Sequence, residues 1–169
     1  LDLYQNILRD IMIDVFSRKG YVKALKSKSA DDVLQGLRDV LNSTNNKPIV
    51  FMTDNGNEFT NKQLKEYLKK NKIIHITNQI GDHRALGIID RFVKTIKTII
   101  QKNLDYFQNN DRFTRYKDIV EVYNETPHSG IYGITPNNAP KRMHYINMLN
   151  LDKKMKETKP IPHRVGSMV

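Results

Sequence analysis

The chain has 169 residues, no cysteine and a formal net charge of +10. The length suits one domain with a real core, and the missing cysteines exclude disulfides and thiolate-bound zinc within it. No apolar run nears the roughly 20 residues of a membrane span, and no secretion signal is visible, so no membrane partner is expected. The charge favours a nucleic-acid partner, because neutralising phosphates releases counterions, although a generic basic protein carries the same balance. The chain opens on Leu1 rather than Met, and it is expected to be a domain of a longer protein.

Leu1–Gln5 is a short strand-like segment. From Asp10 to Ser17 the residues alternate, Ile11, Ile13 and Val15 on one face and Met12, Asp14 and Phe16 on the other, which predicts a second strand. Tyr21–Leu25 continues as a third after the Arg18-Lys19-Gly20 turn. Ser29, with Asp32 three residues on, starts a helix whose apolar stripe is Val33, Leu34, Leu37, Val40 and Leu41. Pro48–Thr53 is the fourth strand, Asn61 caps a helix bearing Leu64, Tyr67 and Leu68, and Ile73–Thr77 is the fifth strand. Asn78–Gly87 reads as a polar loop, a candidate mobile element with glycines at 81 and 87. A helix follows over about Ile88–Asn103, with Ile89, Val93, Ile96 and Ile100 as its buried stripe, and another over roughly Phe113–Asn124. Hairpin strands followed by strand–helix alternation predict an α/β fold, a five-stranded mixed sheet flanked by helices. Residues 1–150 form this domain, and 151–169, with four lysines and two prolines, read as a basic linker.

The acids carry the chemistry. Asp2, Asp54 and Asp90 are separated by 51 and 35 residues. Asp54 ends an apolar strand in FMTDNGNEF, and Asp90 opens the helix GIIDRFVKTIKTII. The first strand of such a sheet commonly lies beside the fourth, which would set Asp2 next to Asp54, and the long helix would bring Asp90 to the same point. Clustered carboxylates without basic partners call for a divalent cation. Three of them can hold two cations about 3.5–4 Å apart for in-line phosphoryl transfer; Mg²⁺ suits such oxygen donors, with Mn²⁺ as a substitute. Asp90, Lys94 and Lys97 share a face, so the lysines can hold DNA phosphates beside the acid; the same spacing also fits an ordinary i,i+4 ion pair. Glu58 is a fallback third ligand, although its place in the DNGNEF turn better fits a surface or substrate-side group. His75 reads as a packed strand residue, His83 as solvated, and no histidine pair has zinc spacing.

Four blocks taken together, IDVFSRKGYVKALKSKSADDV, FMTDNGNEFTNKQLKEYLKKNKIIH, GIIDRFVKTIKTII and VEVYNETPHSGIYGITPNNAPKRM, resemble the catalytic core of retroviral-type integrases, in the DDE integrase and transposase superfamily. The flavour is most similar to integrases of Polinton/Maverick-type elements and virophages. The resemblance implies an RNase H-like fold and a polynucleotidyl transferase that processes 3′ ends and transfers them to target DNA. It selects Asp2 over the more conspicuous Asp14 as the first acid, giving Asp2, Asp54 and Asp90 as catalytic and metal-holding residues. It further implies DNA contacts by Lys94 and Lys97, a turn at Asn55 and Gly56 presenting the second acid, and a structural His128. Asn55 and Arg84 are added as candidate DNA contacts. The implied partners are element-end DNA, target DNA and further copies of the chain, a dimer or higher; the implied location is the host nucleus or a viral particle. The HRVGSMV end resembles the entry to a C-terminal β-barrel domain.

The third acid departs from the pattern, since the superfamily's integrases carry glutamate there. Aspartate is one methylene shorter, and misplacement on the order of 1 Å can cost about a hundredfold in rate. Two other readings therefore stand beside the integrase: a catalytically weakened or inactive DNA-binding or assembly module of the same fold, and an RNase H-like nuclease limited to hydrolysis.

Overall fold

The computed structural model describes residues 10–157 apart from 24, 26, 28, 45–46, 78–82 and 103–111. Strands β1 (Asp10–Ile13) and β2 (Gly20–Lys23) pair antiparallel, from Asp10 opposite Lys23 to Ile13 opposite Gly20. The first of these is shorter than its alternating pattern predicts. Asp14 stops it by folding the chain back: its amide donates to the Lys19 carbonyl at 2.9 Å, its carbonyl accepts from the Arg18 amide at 2.8 Å, and its carboxylate accepts from the Ser17 amide at 2.9 Å and from the Ser17 hydroxyl. Such side-chain-to-backbone closure is what aspartate does in turns. Val15 is thereby left 54% exposed, off the face of Ile11 and Ile13. Arg18 takes a left-handed φ of 61° to complete the turn, at about 1–2 kcal/mol.

Helix α1 (Ala30–Ser43) starts as expected, with the Ser29 hydroxyl accepting from the Asp32 amide at 3.2 Å. The Ser27 hydroxyl links the two ends of this cap, donating to the Asp32 carboxylate at 2.5 Å and accepting from the Ser29 amide at 3.1 Å. Strand β3 (Val50–Thr53), a short 3₁₀ turn (Asn57–Phe59), α2 (Lys62–Lys70) and β4 (Ile74–Thr77) follow. The Asn61 side chain caps α2 by accepting from the Leu64 amide at 2.8 Å. β3 and β4 run parallel, Phe51 opposite His75 and Thr53 opposite Thr77, and α2 supplies the crossover such pairing needs.

Four strands in two two-stranded sheets are thus seen among the described residues, in place of the expected five-stranded sheet. The two pairs share no described strand, and the expected first strand, Leu1–Gln5, lies outside these residues.

The hairpin packs on a core at each face, its side chains half-buried, because strand side chains alternate. Met12 packs with Leu34, Leu37, Leu41, Leu64, Leu68 and Ile73, the core beneath α1 and α2. Ile11, Ile13 and Val22 pack on the opposite core, formed by α3 (His83–Lys102) and α4 (Arg112–Glu125). The result is a three-layer α/β/α arrangement. The β3–β4 pair is covered less completely: Val50, Met52, Ile74 and Ile76 share one face and are all exposed.

Helix α3 departs from its sequence pattern in two respects. It starts at His83, so 83–87 are helical rather than loop. Its buried stripe is Phe92 and Ile96 with Ile99 against them, while Ile89 and Val93 are only half-buried. Phe92 sets this rotation, because its ring fills the space a Cβ on Gly20 would occupy; that Cβ would lie 2.3 Å from its tip. A third small core of Ile131, Ala139 and Ile146, with Phe16 and Ile134 against it, ties the segment after α4 to α5 (Met143–Glu157). Leu151–Glu157, expected without secondary structure, therefore continue a helix; 158–169 lie outside the described residues. No helix of the described residues is long and apolar enough to cross a membrane.

Candidate catalytic site

Asp54 directly follows β3, at the carboxyl end of a parallel pair, where the strand hydrogen bonding stops and the side chain is exposed. The turn after it is tight. The Gly56 amide donates to Asp54 Oδ1 at 3.1 Å, and the Phe59 amide donates to the Gly56 carbonyl at 3.0 Å. Phe59 anchors this turn on the core below α1 and α2. Gly56 is required for space: a Cβ there would meet Glu58 Oε2 at 2.6 Å and Asp54 Oδ1 at 3.1 Å. The two carboxylates therefore approach each other over a glycine. Neither makes an ion pair among the described residues.

Asp90 is exposed on α3, but it is the eighth residue of that helix, two turns in, rather than part of the first turn. Lys94 and Lys97 are also exposed, one and two turns further along the same face. Asp90 forms no ion pair with Lys94 among the described residues, so the i,i+4 pairing that their spacing allows is not made. Asn55 is exposed beside Asp54. Arg84 lies in the first turn of α3, not in a loop. Asp2 lies outside the described residues.

The donor chemistry of Asp54 and Glu58, hard oxygens without a basic neighbour, fits Mg²⁺ or Mn²⁺. Among the described residues, no three acid or histidine side chains come together as a metal-holding group. Asp14 is occupied by closing the hairpin. His75 is a packed strand residue: its Nε2 lies 2.9 Å from the Thr53 hydroxyl and its ring 5.9 Å from that of Phe51. Partial burial, and then the Lys65 charge, lower its pKa from 6.5. His128 ties loop to helix, its Nε2 lying 3.1 Å from the Tyr123 carbonyl and its amide donating to Ile134 at 3.1 Å.

Sequence reasoning overlooked a group that seats the helix of Asp90. Besides Gly20 and Phe92, it includes Asn124, whose buried amide binds Gly20, and Arg18, whose Nη1 is buried without a hydrogen-bond partner among the described residues. Desolvation lowers the Arg18 pKa; Tyr123 raises it, Arg91 on α3 lowers it and Asp14 raises it, in that order. The available signal was the SRKG turn and the YN pair of α4, polar residues inside otherwise apolar contexts.

Residues 11–83 match the family model of the integrase core domain. A transposon-derived protein of Caenorhabditis elegans is 30% identical over 121 residues, which cover 72% of this chain and 42% of that protein. The transposase of transposon Tn552 from Staphylococcus aureus is 28% identical over 170 residues, 86% of this chain and 35% of that one. The chain thus spans less than half the length of these relatives. Among solved structures, the HTLV-2 integrase catalytic core in complex with magnesium, trimeric form, superimposes with a TM-score of 0.64 at 20% identity, covering 75% of this chain and 79% of that one. That likeness concerns the fold, α/β and RNase H-like. In sequence over residues 11–83, and in fold, the chain is thus similar to integrase core domains, with a transposase among its sequence relatives.

Proposed function

We propose that the chain is the catalytic core of a DNA integrase or transposase, a polynucleotidyl transferase that trims the 3′ ends of mobile-element or viral DNA and joins them to target DNA. One observation carries this reading. An exposed carboxylate, Asp54, stands at the end of a parallel strand, faces Glu58 across Gly56 and has no cationic side chain to neutralise it among the described residues. Ligand sites in parallel α/β sheets gather at the carboxyl ends of strands.

In this reading Asp2, Asp54 and Asp90 hold divalent metal, Mg²⁺ or Mn²⁺, which when bound neutralises their charge and makes a phosphodiester open to attack. Lys94 and Lys97 hold the phosphates of the DNA end on the face of α3 that carries Asp90. Asn55 and Arg84 add contacts to the same strand. Water attacks first and frees a 3′-hydroxyl; that oxygen then attacks a target phosphodiester in line. One P–O bond forms as another breaks, and no covalent enzyme intermediate arises. The chain works as a dimer or larger assembly, in the nucleus of a host cell or in a viral particle, for an element of Polinton, Maverick or virophage kind.

The test is a nicking and joining assay on supercoiled plasmid with oligonucleotide ends and Mg²⁺ or Mn²⁺, comparing wild type with Asp54→Asn. Joining should vanish while fold and DNA binding persist. Equal joining by Asp54→Asn would overturn the assignment.

A further inference from the structure

Two grooves on the described surface have opposite character. One runs along α4 and is lined by Asp118, Glu121, Val122, Glu125 and Thr126. The other, about 410 Å³, lies where the loop after α4 turns into α5, and is lined by Gly133, Ile134, Thr135, Asn138, Lys141 and Arg142. The first carries three acids and would repel a polyanion. The second has two cations and no acid.

We propose that this second cleft binds the phosphodiester backbone of duplex DNA, as a contact additional to Lys94 and Lys97; the inference rests on the DNA-joining reading above. Lys141 and Arg142 are exposed and make no ion pair among the described residues, so their charge is available to a ligand. The Asn138 amide donates to the Thr135 hydroxyl oxygen at 3.0 Å, which leaves that hydroxyl's own hydrogen to donate to a phosphate oxygen. Gly133 has a left-handed φ of 77°, and a Cβ there would meet nothing within 4 Å, so the backbone is open to close approach on that side.

The frame is preformed. The Gly133 amide donates to the His128 carbonyl at 2.9 Å, and the amides of Asn138 and Ala139 donate to the Thr135 carbonyl at 2.9 and 3.0 Å. Ile131, Pro136 and Ala139 are buried beneath it. A fixed cradle with free cations costs little ordering on binding, and two charges on one rigid turn match successive phosphates better than a single mobile lysine.

The experiment follows anisotropy of a short fluorescent duplex bound to the 169-residue chain over a salt series. Lys141→Gln/Arg142→Gln should weaken binding and reduce the slope of log affinity against log salt by about two, one for each phosphate that is no longer neutralised. Lys69→Gln/Lys70→Gln, which neutralises exposed charges elsewhere, should leave the slope nearly unchanged. The swap Lys141→Arg/Arg142→Lys should restore it. An unchanged slope in the cleft variant, or an equal drop in the control, overturns the cleft and leaves the catalytic reading standing. Displacement of duplex by inorganic phosphate at matched ionic strength overturns it too, since the site would then take free anions. Failure of the wild-type chain to bind duplex at all counts against both.

Discussion

The side-chain amide of Asn124 takes both backbone hydrogen bonds of Gly20, donating to its carbonyl at 3.0 Å and accepting from its amide at 2.8 Å. A residue of α4 thus does for the free edge of β2 what a neighbouring strand would do. Edge amides left buried without a partner are costly, and here one buried side chain satisfies two such groups.

Asn124→Ala should therefore destabilise the protein by roughly 2–6 kcal/mol, from two orphaned buried groups at about 1–3 kcal/mol each. Urea denaturation measures this directly. A change below about 0.5 kcal/mol, the range of ordinary surface substitutions, would mean that the bracket contributes little.

Gly20→Ala forces its methyl into the Phe92 ring, and overpacking of this kind costs about 1–3 kcal/mol. Phe92→Leu clears the space while opening a smaller cavity. The double variant should be more stable than the sum of the single effects predicts, a coupling that thermal melts of all four proteins reveal. Strict additivity would count against the seat.

His75 gives a pH dependence. Its folded-state pKa is lowered from 6.5 by burial and then by Lys65, so the unfolded chain binds the proton more tightly than the folded one. Its share of stability is complete above about pH 6.5 and declines as the pH falls through that value. Replacing it with Gln should flatten the stability profile between neutral and mildly acidic pH. A stability that rises on acidification in the wild type but not in His75→Gln contradicts this sign.

Asp14 and Asp54 should separate cleanly. Asp14→Ala removes the acceptor that closes the hairpin and should cost about 1–2 kcal/mol, with metal-dependent joining retained by the protein that stays folded. Asp54→Asn should lower joining by on the order of a hundredfold or more, with the melting temperature kept or raised, because Glu58 then faces a neutral side chain. Activity and stability measured side by side on both variants decide it.

What the sequence revealed was mostly local. Ser29 and Asn61 cap their helices as their neighbours indicate, Val33, Leu34, Leu37 and Leu41 of the α1 stripe are buried while Val40 is half-buried, and Asp54 ends its strand. The misreadings arise where distant residues decide. Asp14 ends β1 through contacts to Ser17, Arg18 and Lys19, which a two-residue period cannot see. The rotation of α3 depends on Gly20, far away in sequence, admitting the ring of Phe92. Leu151–Glu157 stay helical although their apolar pattern is weak, with the i,i+4 pairs Lys153–Glu157 and Lys156–Asp152 lying along that turn. For the candidate site, the placement of Asp54 and the shared face of Asp90, Lys94 and Lys97 were legible. The Glu58 approach over Gly56 was not, since it arises from the 3₁₀ turn rather than from any spacing rule.

The uncovered face of β3 and β4 has a practical outcome at the bench. Val50, Met52, Ile74 and Ile76 form a flat apolar strip in water, and strips of this kind make molecules adhere. Purified by itself, the chain should be limited by precipitation well before it is limited by melting, despite its charge of +10. A single lysine in place of Ile74 would raise the attainable concentration while leaving the Phe51 side of the pair, and Asp54 at its end, as they are.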